Sequence, residues 1–234
     1  MTTSREQRIE ALNALIEAEA RKGDISLDED VYKEAGKDSY KPILFGGQLD
    51  TSVAFFARDL GRQEVLYGEP LIGDAGQRVR KALYTHLFAT APPAKDTRLV
   101  TAVEHVLLTN TVPYKPVGNK AYPTSVKERL RPYIAQLLVC HFTGNHIITM
   151  GTEAFDWFAG YAPAKEAATF WKRADKYEAE FTCTLTAECD GQKVEKRVTI
   201  APLPHPSPLN QTYIKLFPGL LAKRLEQAPL KSAE

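Results

Sequence analysis

Three short segments of this 234-residue chain hold side chains whose types and spacing could do chemistry. In Ala57-Arg58-Asp59-Leu60-Gly61 a carboxylate ends an apolar run beside a glycine. Glu64 and Gly68-Glu69-Pro70-Leu71-Ile72-Gly73-Asp74-Ala75-Gly76-Gln77 lie just beyond. A carboxylate so placed, next to a helix start, can hold a water beside a substrate bound to backbone N–H groups. Equally, Asp59 can be a turn cap with Arg58 and Glu64 as solvated charges, because Asp and Gly are ordinary loop residues. Between Pro202 and Asn210, four prolines are interleaved with Leu203, His205, Ser207 and Leu209. Proline fixes φ and restrains its predecessor, so this segment keeps His205 at a fixed depth and projects Leu209, unless it is only a polyproline linker. Asn110 ends another apolar run. Its amide carries a donor and an acceptor in one plane, which suits reading a nucleobase edge or satisfying a loop backbone.

Other chemistries lack their residues. The chain has no G-x-x-x-x-G-K-S/T, no G-x-G-x-x-G after a strand, no G-x-S-x-G and no H-E-x-x-H, which removes support for ATP, dinucleotide, esterase and zincin sites. Cys140, Cys183 and Cys189 are odd in number and lack C-x-x-C spacing, so neither a disulfide framework nor a zinc site is expected. Cys140 reads as a small buried apolar residue, Cys183 and Cys189 as flanking a hairpin turn, and Trp157 and Trp171 as packing residues. Lys115, Lys120, Lys127, Arg129 and Arg131 make the basic stretch, by default a solvated helix face.

The elements that must position these residues follow from periodicity. Residues 3–22 predict an amphipathic helix with a Thr3/Glu6 capping box, an Ile9, Leu12, Leu15, Ile16 stripe and a stop at Gly23; residues 24–40 read as acidic loop. Buried strands are predicted at 51–57, 103–108 and 146–150, and helices at 75–87, 123–140 (kinked or broken at Pro132), 152–158 and 213–227. Residues 178–187 and 193–200 predict a hairpin with a type I′ turn at Asp190-Gly191. This alternation argues for an α/β fold, a three-layer αβα sandwich with a central, mostly parallel four-stranded sheet and a β-hairpin insertion at 178–200, in one domain. The distinctive loops all follow carboxyl ends of strands, where such sheets build their sites.

Composition fits a single ordinary domain, with 44% hydrophobic and 25% charged residues. No run approaches the roughly 20 apolar residues of a membrane span, and the first residues do not look like a signal peptide, so a soluble intracellular protein is expected. Thirty Lys+Arg against twenty-nine Asp+Glu leave a formal charge of +1, which at first argues against a phosphate-rich partner.

Taken in order, the motifs resemble the uracil-DNA glycosylase superfamily, over about residues 50–225. Ala57-Arg58-Asp59-Leu60-Gly61 is similar to its first motif, and His205-Pro206-Ser207-Pro208-Leu209-Asn210 to its final H-P-S motif. Gly68 to Gly76 resembles the G-x-P-F-V/I-G-x-A-G of the family-four enzymes, Thr109 to Asn119 their T-N-x-V-x-x-x-P-P-G-N, and Ile148 to Ala154 their strand ending in L-G-x-x-A. The resemblance implies removal of uracil from single- or double-stranded DNA by a monomeric cytoplasmic enzyme of bacterial type, acting at the nucleoid and at no membrane. Asp59 and His205 would be catalytic, the first orienting or deprotonating water, the second donating a hydrogen bond to the departing base. Ala57, Arg58, Gly61, Leu71 and Asn110 would bind the base. Pro206, Ser207, Pro208, Leu209 and Asn210, with Lys115 and Lys120, would contact DNA, Leu209 as the wedge that fills the vacated stack.

Departures qualify this reading. Family four has its carboxylate where this chain has Arg58, and Asp59 instead matches the branch with G-Q-D-P-Y; Ala57 and Leu60 replace a glycine and a proline. Leu71 stands where a phenylalanine would stack on uracil, and the four cysteines of an iron–sulfur cluster have no counterpart, so no cofactor and no metal are expected. A changed base preference (hypoxanthine or xanthine) and a catalytically weak DNA-binding paralogue are the alternatives. Residues 1–36 carry five basic and nine acidic side chains, and residues 111–133 five basic and one acidic. The balance of +1 therefore reads as an acidic start averaged with a basic face beside Asn110, predicting modest, salt-sensitive DNA binding.

Overall fold

The computed structural model describes residues 4–118, 120–206 and 211–230. Four strands, Val53–Asp59 (β2), Leu107–Val112 (β3), His146–Met150 (β4) and Gln192–Leu203 (β6), run parallel in the middle of one sheet. Phe45–Gly47 (β1) and Phe181–Cys189 (β5) pair antiparallel at its edges, in the order β1-β3-β2-β4-β6-β5. The sheet thus has six strands rather than four. The hairpin is not an appendage: Thr199 to Leu203 of β6 pairs with His146 to Met150, so its second arm is the fourth parallel strand. Asp190 and Gly191, both at positive φ (51° and 77°), make the tight turn that the Asp-Gly pair predicts.

Helices cover both faces, giving the three layers. On one side Ala54 and Phe56 meet Arg5–Ala20 (α1), Thr124–Gln136 (α6) and Thr152–Ala159 (α7) through Leu12, Ile16, Leu130, Ile134, Phe155 and Phe158. On the other, Val53 and Phe55 meet Asp74–Phe88 (α4), Val100–Val103 (α5) and Phe217–Gln227 (α10) through Val79, Leu83, Ala102 and Leu221. Strand residues buried on both faces explain why β2 reads as an uninterrupted apolar run. Short helices Glu29–Glu34 (α2), Arg62–Tyr67 (α3), Ala164–Trp171 (α8) and Gln211–Ile214 (α9) complete the chain. The acidic loop expected at 24–40 therefore contains α2, whose Tyr32 packs with Ile43, Leu60 and Val65.

Local expectations are corrected at several points. The cap of α1 is Ser4 with Gln7, bonded reciprocally, while Thr3 lies outside the described residues. Leu12, Ile16 and Ala20 recur at i+4 and are buried, whereas Leu15 falls off that row and is 51% exposed. The run at 103–108 begins as the end of α5, and β3 starts only at Leu107. Helix α6 continues through Pro132 and changes five residues later into a π-helical turn, Leu137–His141.

Two of the three cysteines form a disulfide, which the odd count and the spacing do not lead one to expect. Cys140, in the π turn, is disulfide-bonded to Cys189 at the end of β5, leaving Cys183 as a buried thiol whose pKa burial pushes up to about 12. The cross-link closes a loop with a sequence separation of 49, stapling the hairpin to α6. A loop of that length is worth about 4 kcal/mol in a chain-entropy account, with engineered cases delivering less. Cys189→Ser, or reductant added to the wild type, should lower the chemical denaturation midpoint by an amount corresponding to about 2–4 kcal/mol. An unchanged midpoint would show that the bond contributes no stability.

Candidate active site

At the carboxyl ends of the parallel strands lies a cavity of about 170 Å³ that Asp59, Asn110, Met150 and His205 share with Ala57, Arg58, Gly61, Glu64 and Leu71. Four strands therefore bring three separated motifs to one place. The volume is well below the roughly 300–1,000 Å³ of a drug-sized pocket, which suits one ring system rather than a whole nucleotide. A larger open groove of about 660 Å³ between α1, α6 and the hairpin tip, walled by Leu15, Pro132, Tyr133 and Thr186, holds none of these motifs.

Asp59 ends β2 with its side chain only 2% exposed. Its carboxylate accepts from the Tyr122 backbone N–H and from Thr111 Oγ1, each at 3.3 Å. Burial pushes this carboxyl above its ordinary pKa, against the pull of the Tyr122 N–H, Lys127 and Arg58. A carboxylate with a raised pKa is a better general base. His205 follows β6 and is held the opposite way: burial, then the Arg58 charge, lower its pKa and favour the neutral ring, opposed by Glu153. The ring packs close to Gly151, where a Cβ would come within 3.1 Å of the His205 Cβ and φ is +93°. Glycine at the end of β4 thus sets how deep His205 sits.

Asn110, on β3, is 2% exposed, and its Oδ1 has no hydrogen-bond partner among the described residues. An unsatisfied buried carbonyl costs about 1–3 kcal/mol. In this cavity it is an acceptor held in reserve.

Two of the backbone N–H groups leading into α4, those of Ile72 and Gly73, which the sequence reading offers to a substrate, are occupied. Glu64 Oε1 accepts from Ile72 N and Gly73 N at 3.0 and 2.7 Å, while its Oε2 accepts from Gly61 N at 3.0 Å. Leu71 lines the cavity in a left-handed conformation, φ +54°. Its carbonyl is gripped by Arg80 Nε at 2.6 Å and crosses directly over Gly76, where a Cβ would lie 1.9 Å away. Glu64 carries no sequence signal beyond its place near the motif. Arg80 and Met150 carry none, since their roles exist only once the loop has folded over them.

The residues expected on the DNA side fare differently. Lys115 is buried, its ammonium bonded to Asp28 at 3.0 Å, to the Pro116 carbonyl at 2.8 Å and to the Gly118 carbonyl, so it faces inward and not toward DNA. Pro206 is buried rather than presented to solvent, and Lys120 is exposed. Ser207, Pro208, Leu209 and Asn210 lie outside the described residues. The basic stretch is also not a bare cationic face. Lys127 pairs with Glu153, Arg129 with Glu19 and Asp24, and Arg131 with Glu128 while covering the Trp157 ring.

Two of the three cysteines are bonded to each other, so this chain has no set of four thiolates for an iron–sulfur cluster. No helix among the described residues is long and apolar enough to cross a membrane.

Comparison with known proteins agrees with this geometry. No curated protein sequence gives a significant match. The family described as the uracil DNA glycosylase superfamily matches residues 45–228, a span that runs from β1 through α10 and includes every wall of the cavity. The chain therefore belongs to the uracil-DNA glycosylase superfamily, a group of DNA-repair glycosylases that are hydrolases of the base–sugar bond.

Proposed function

We propose that the protein excises uracil from DNA, leaving an abasic site. The observation that carries this reading is Asn110: a buried amide with an unmatched acceptor, in a cavity the size of one base, between a buried carboxylate and a half-buried histidine whose pKa is lowered toward the neutral ring. Uracil presents an N–H donor beside a carbonyl where cytosine presents an acceptor beside an amino group, so a fixed amide distinguishes the two. The small volume favours a pyrimidine over a purine.

Extruding the nucleotide costs a few kcal/mol of stacking, which a wedge at Leu209 would offset. As the N1–C1′ bond breaks, its electron pair leaves with the base and positive charge develops on the sugar. The neutral His205 ring donates a hydrogen bond to the uracil oxygen where negative charge accumulates. Asp59, ionised and shielded from solvent, faces the cationic sugar and orients the water whose oxygen bonds to C1′, taking its proton. Leu71 supplies apolar contact where an aromatic ring would stack.

Oligonucleotides carrying uracil, hypoxanthine or xanthine, single- and double-stranded, are incubated with the protein and cleaved at abasic sites with alkali. Release of uracil is expected. Product only from hypoxanthine or xanthine reassigns the base, and DNA retention without any product makes the chain a binding paralogue.

Asp59→Asn and His205→Ala should each slow uracil release at least about tenfold, the lower range of general-base and charge-stabilising contributions. Wild-type rates in both would place the chemistry elsewhere.

The pH dependence has a definite sign. Asp59 acts as the carboxylate, so the single-turnover rate rises with pH through a pKa above the ordinary Asp value, in the direction burial shifts it. His205 acts as the neutral ring with a lowered pKa, so its protonation removes activity only below the usual histidine range. An acid limb that keeps its wild-type midpoint in Asp59→Asn would assign that limb to His205 or another group and not to Asp59.

A further inference from the structure

Beside the mouth of the cavity a carboxylate sits between two cations. Glu153, in the first turn of α7, faces the Arg58 guanidinium at 3.4 Å and is also bonded by the Lys127 ammonium. Arg58 belongs to both places, because it lines the cavity and stands 3.7 Å from Asp59. None of the three is sealed off: the side chains of Arg58, Glu153 and Lys127 are 33%, 37% and 17% exposed. The other paired cations of this stretch are committed to the protein's own carboxylates, Lys115 to Asp28, Arg129 to Glu19 and Asp24, and Arg131 to Glu128.

A nucleotide whose base enters the cavity carries phosphates on both sides of its sugar, so one of them arrives at this mouth. It meets two cations already holding an anion. A phosphate and the Glu153 carboxylate repel each other and compete for the same donors. We propose that Arg58 and Lys127 form the seat of a DNA backbone phosphate flanking the extruded nucleotide, and that Glu153 is an internal anion filling this seat until DNA displaces it. The exchange of one anion for another keeps the two cations from repelling when DNA is absent and makes this contact nearly neutral in charge when DNA binds. This rests on DNA being the substrate and not on which base is removed.

Fluorescence anisotropy with the full chain and a labelled duplex containing a tetrahydrofuran abasic analogue, which needs no base to be read, measures affinity against salt. Glu153→Gln should tighten binding about three- to tenfold at low salt, the effect of removing one unit charge some 4 Å away in water. It should also steepen the slope of log K against log salt by up to about 0.9, the increment for one phosphate. Glu128→Gln makes the same charge change at the Arg131 pair, where the carboxylate is 53% exposed, and should stay within about twofold of the wild type. Lys127→Ala should weaken binding and flatten the slope. Unchanged or weaker binding by a Glu153→Gln protein with native circular dichroism overturns the seat, as does an equal gain from Glu128→Gln. Should Glu153→Gln fail to fold, wild-type affinity and slope in Lys127→Ala overturn it. Uracil release is assayed separately, so a failure of the uracil reading leaves this result standing.

Discussion

The Glu64 carboxylate holds two halves of the cavity wall together. It takes the N–H of Gly61, just past β2, and the N–H groups of Ile72 and Gly73, where α4 begins. A carboxylate accepting several backbone N–H bonds in a buried place is a strong anchor, because each donor it leaves would cost about 1–3 kcal/mol. Gly61 and Gly73 are small for this reason, since a Cβ at either would come within 2.6 or 3.1 Å of the carboxylate. Arg80, fully buried, does the complementary work on the carbonyls of Pro70, Leu71 and Arg98. One anion gathers the N–H groups and one cation gathers the carbonyls. Between them Leu71 stays in a left-handed conformation that costs an L-residue about 1–2 kcal/mol, because its surroundings over-determine it.

The same economy of charge governs Asp59 and His205, the pair proposed to be catalytic. Burial alone drives Asp59 and His205 toward their neutral forms, which suits the histidine and harms the carboxylate. Arg58 corrects this asymmetry. Its charge favours the ionised Asp59 and the neutral His205 at once, so a cation at position 58 acts on both groups in the direction that the proposed mechanism needs. A carboxylate at position 58, where the family-four pattern has one, would stand beside Asp59 and push its pKa further up. An arginine at position 58 is therefore compatible with an ionised carboxylate at position 59, where a second carboxylate would oppose it.

What was legible in the sequence follows from what is local. Val53 to Ala57 and His146 to Met150 are apolar because both faces of those strands are covered, and Asp190-Gly191 turns because Gly tolerates positive φ. Asp59 and Asn110 were legible because each closes an apolar run, Asp59 as the last residue of β2 and Asn110 near the end of β3, and His205 because prolines flank it just past β6. Long-range pairing was not. Nothing in residues 193–203 says that they join β4 in parallel, and an odd cysteine count does not tell which two of three sulfurs meet. Lys115 reads as a solvated charge until Asp28, distant in sequence, is laid against it. Arg80 reads as a helix surface residue until the loop of Pro70 and Leu71 folds over its guanidinium.

The acidic start and the basic stretch at 111–133 looked in the sequence like two separate faces averaging to +1. They are in good part each other's counterions: Asp28 holds Lys115, while Glu19 and Asp24 hold Arg129. These contacts dock the chain that precedes the family match onto its body. Tyr32 extends the docking: its hydroxyl accepts from Lys115 N at 3.0 Å, and its ring packs with Leu60, the residue after Asp59. The segment before residue 45 is therefore part of what holds the loop that follows Asp59, and in holding it consumes charges that would otherwise steer a polyanion from a distance. Electrostatic steering depends on unpaired charge of one sign over a surface. With those charges paired, the proposed reading leaves recognition to contacts at the cavity mouth, where the buried Asn110 amide and the Arg58–Glu153–Lys127 cluster lie.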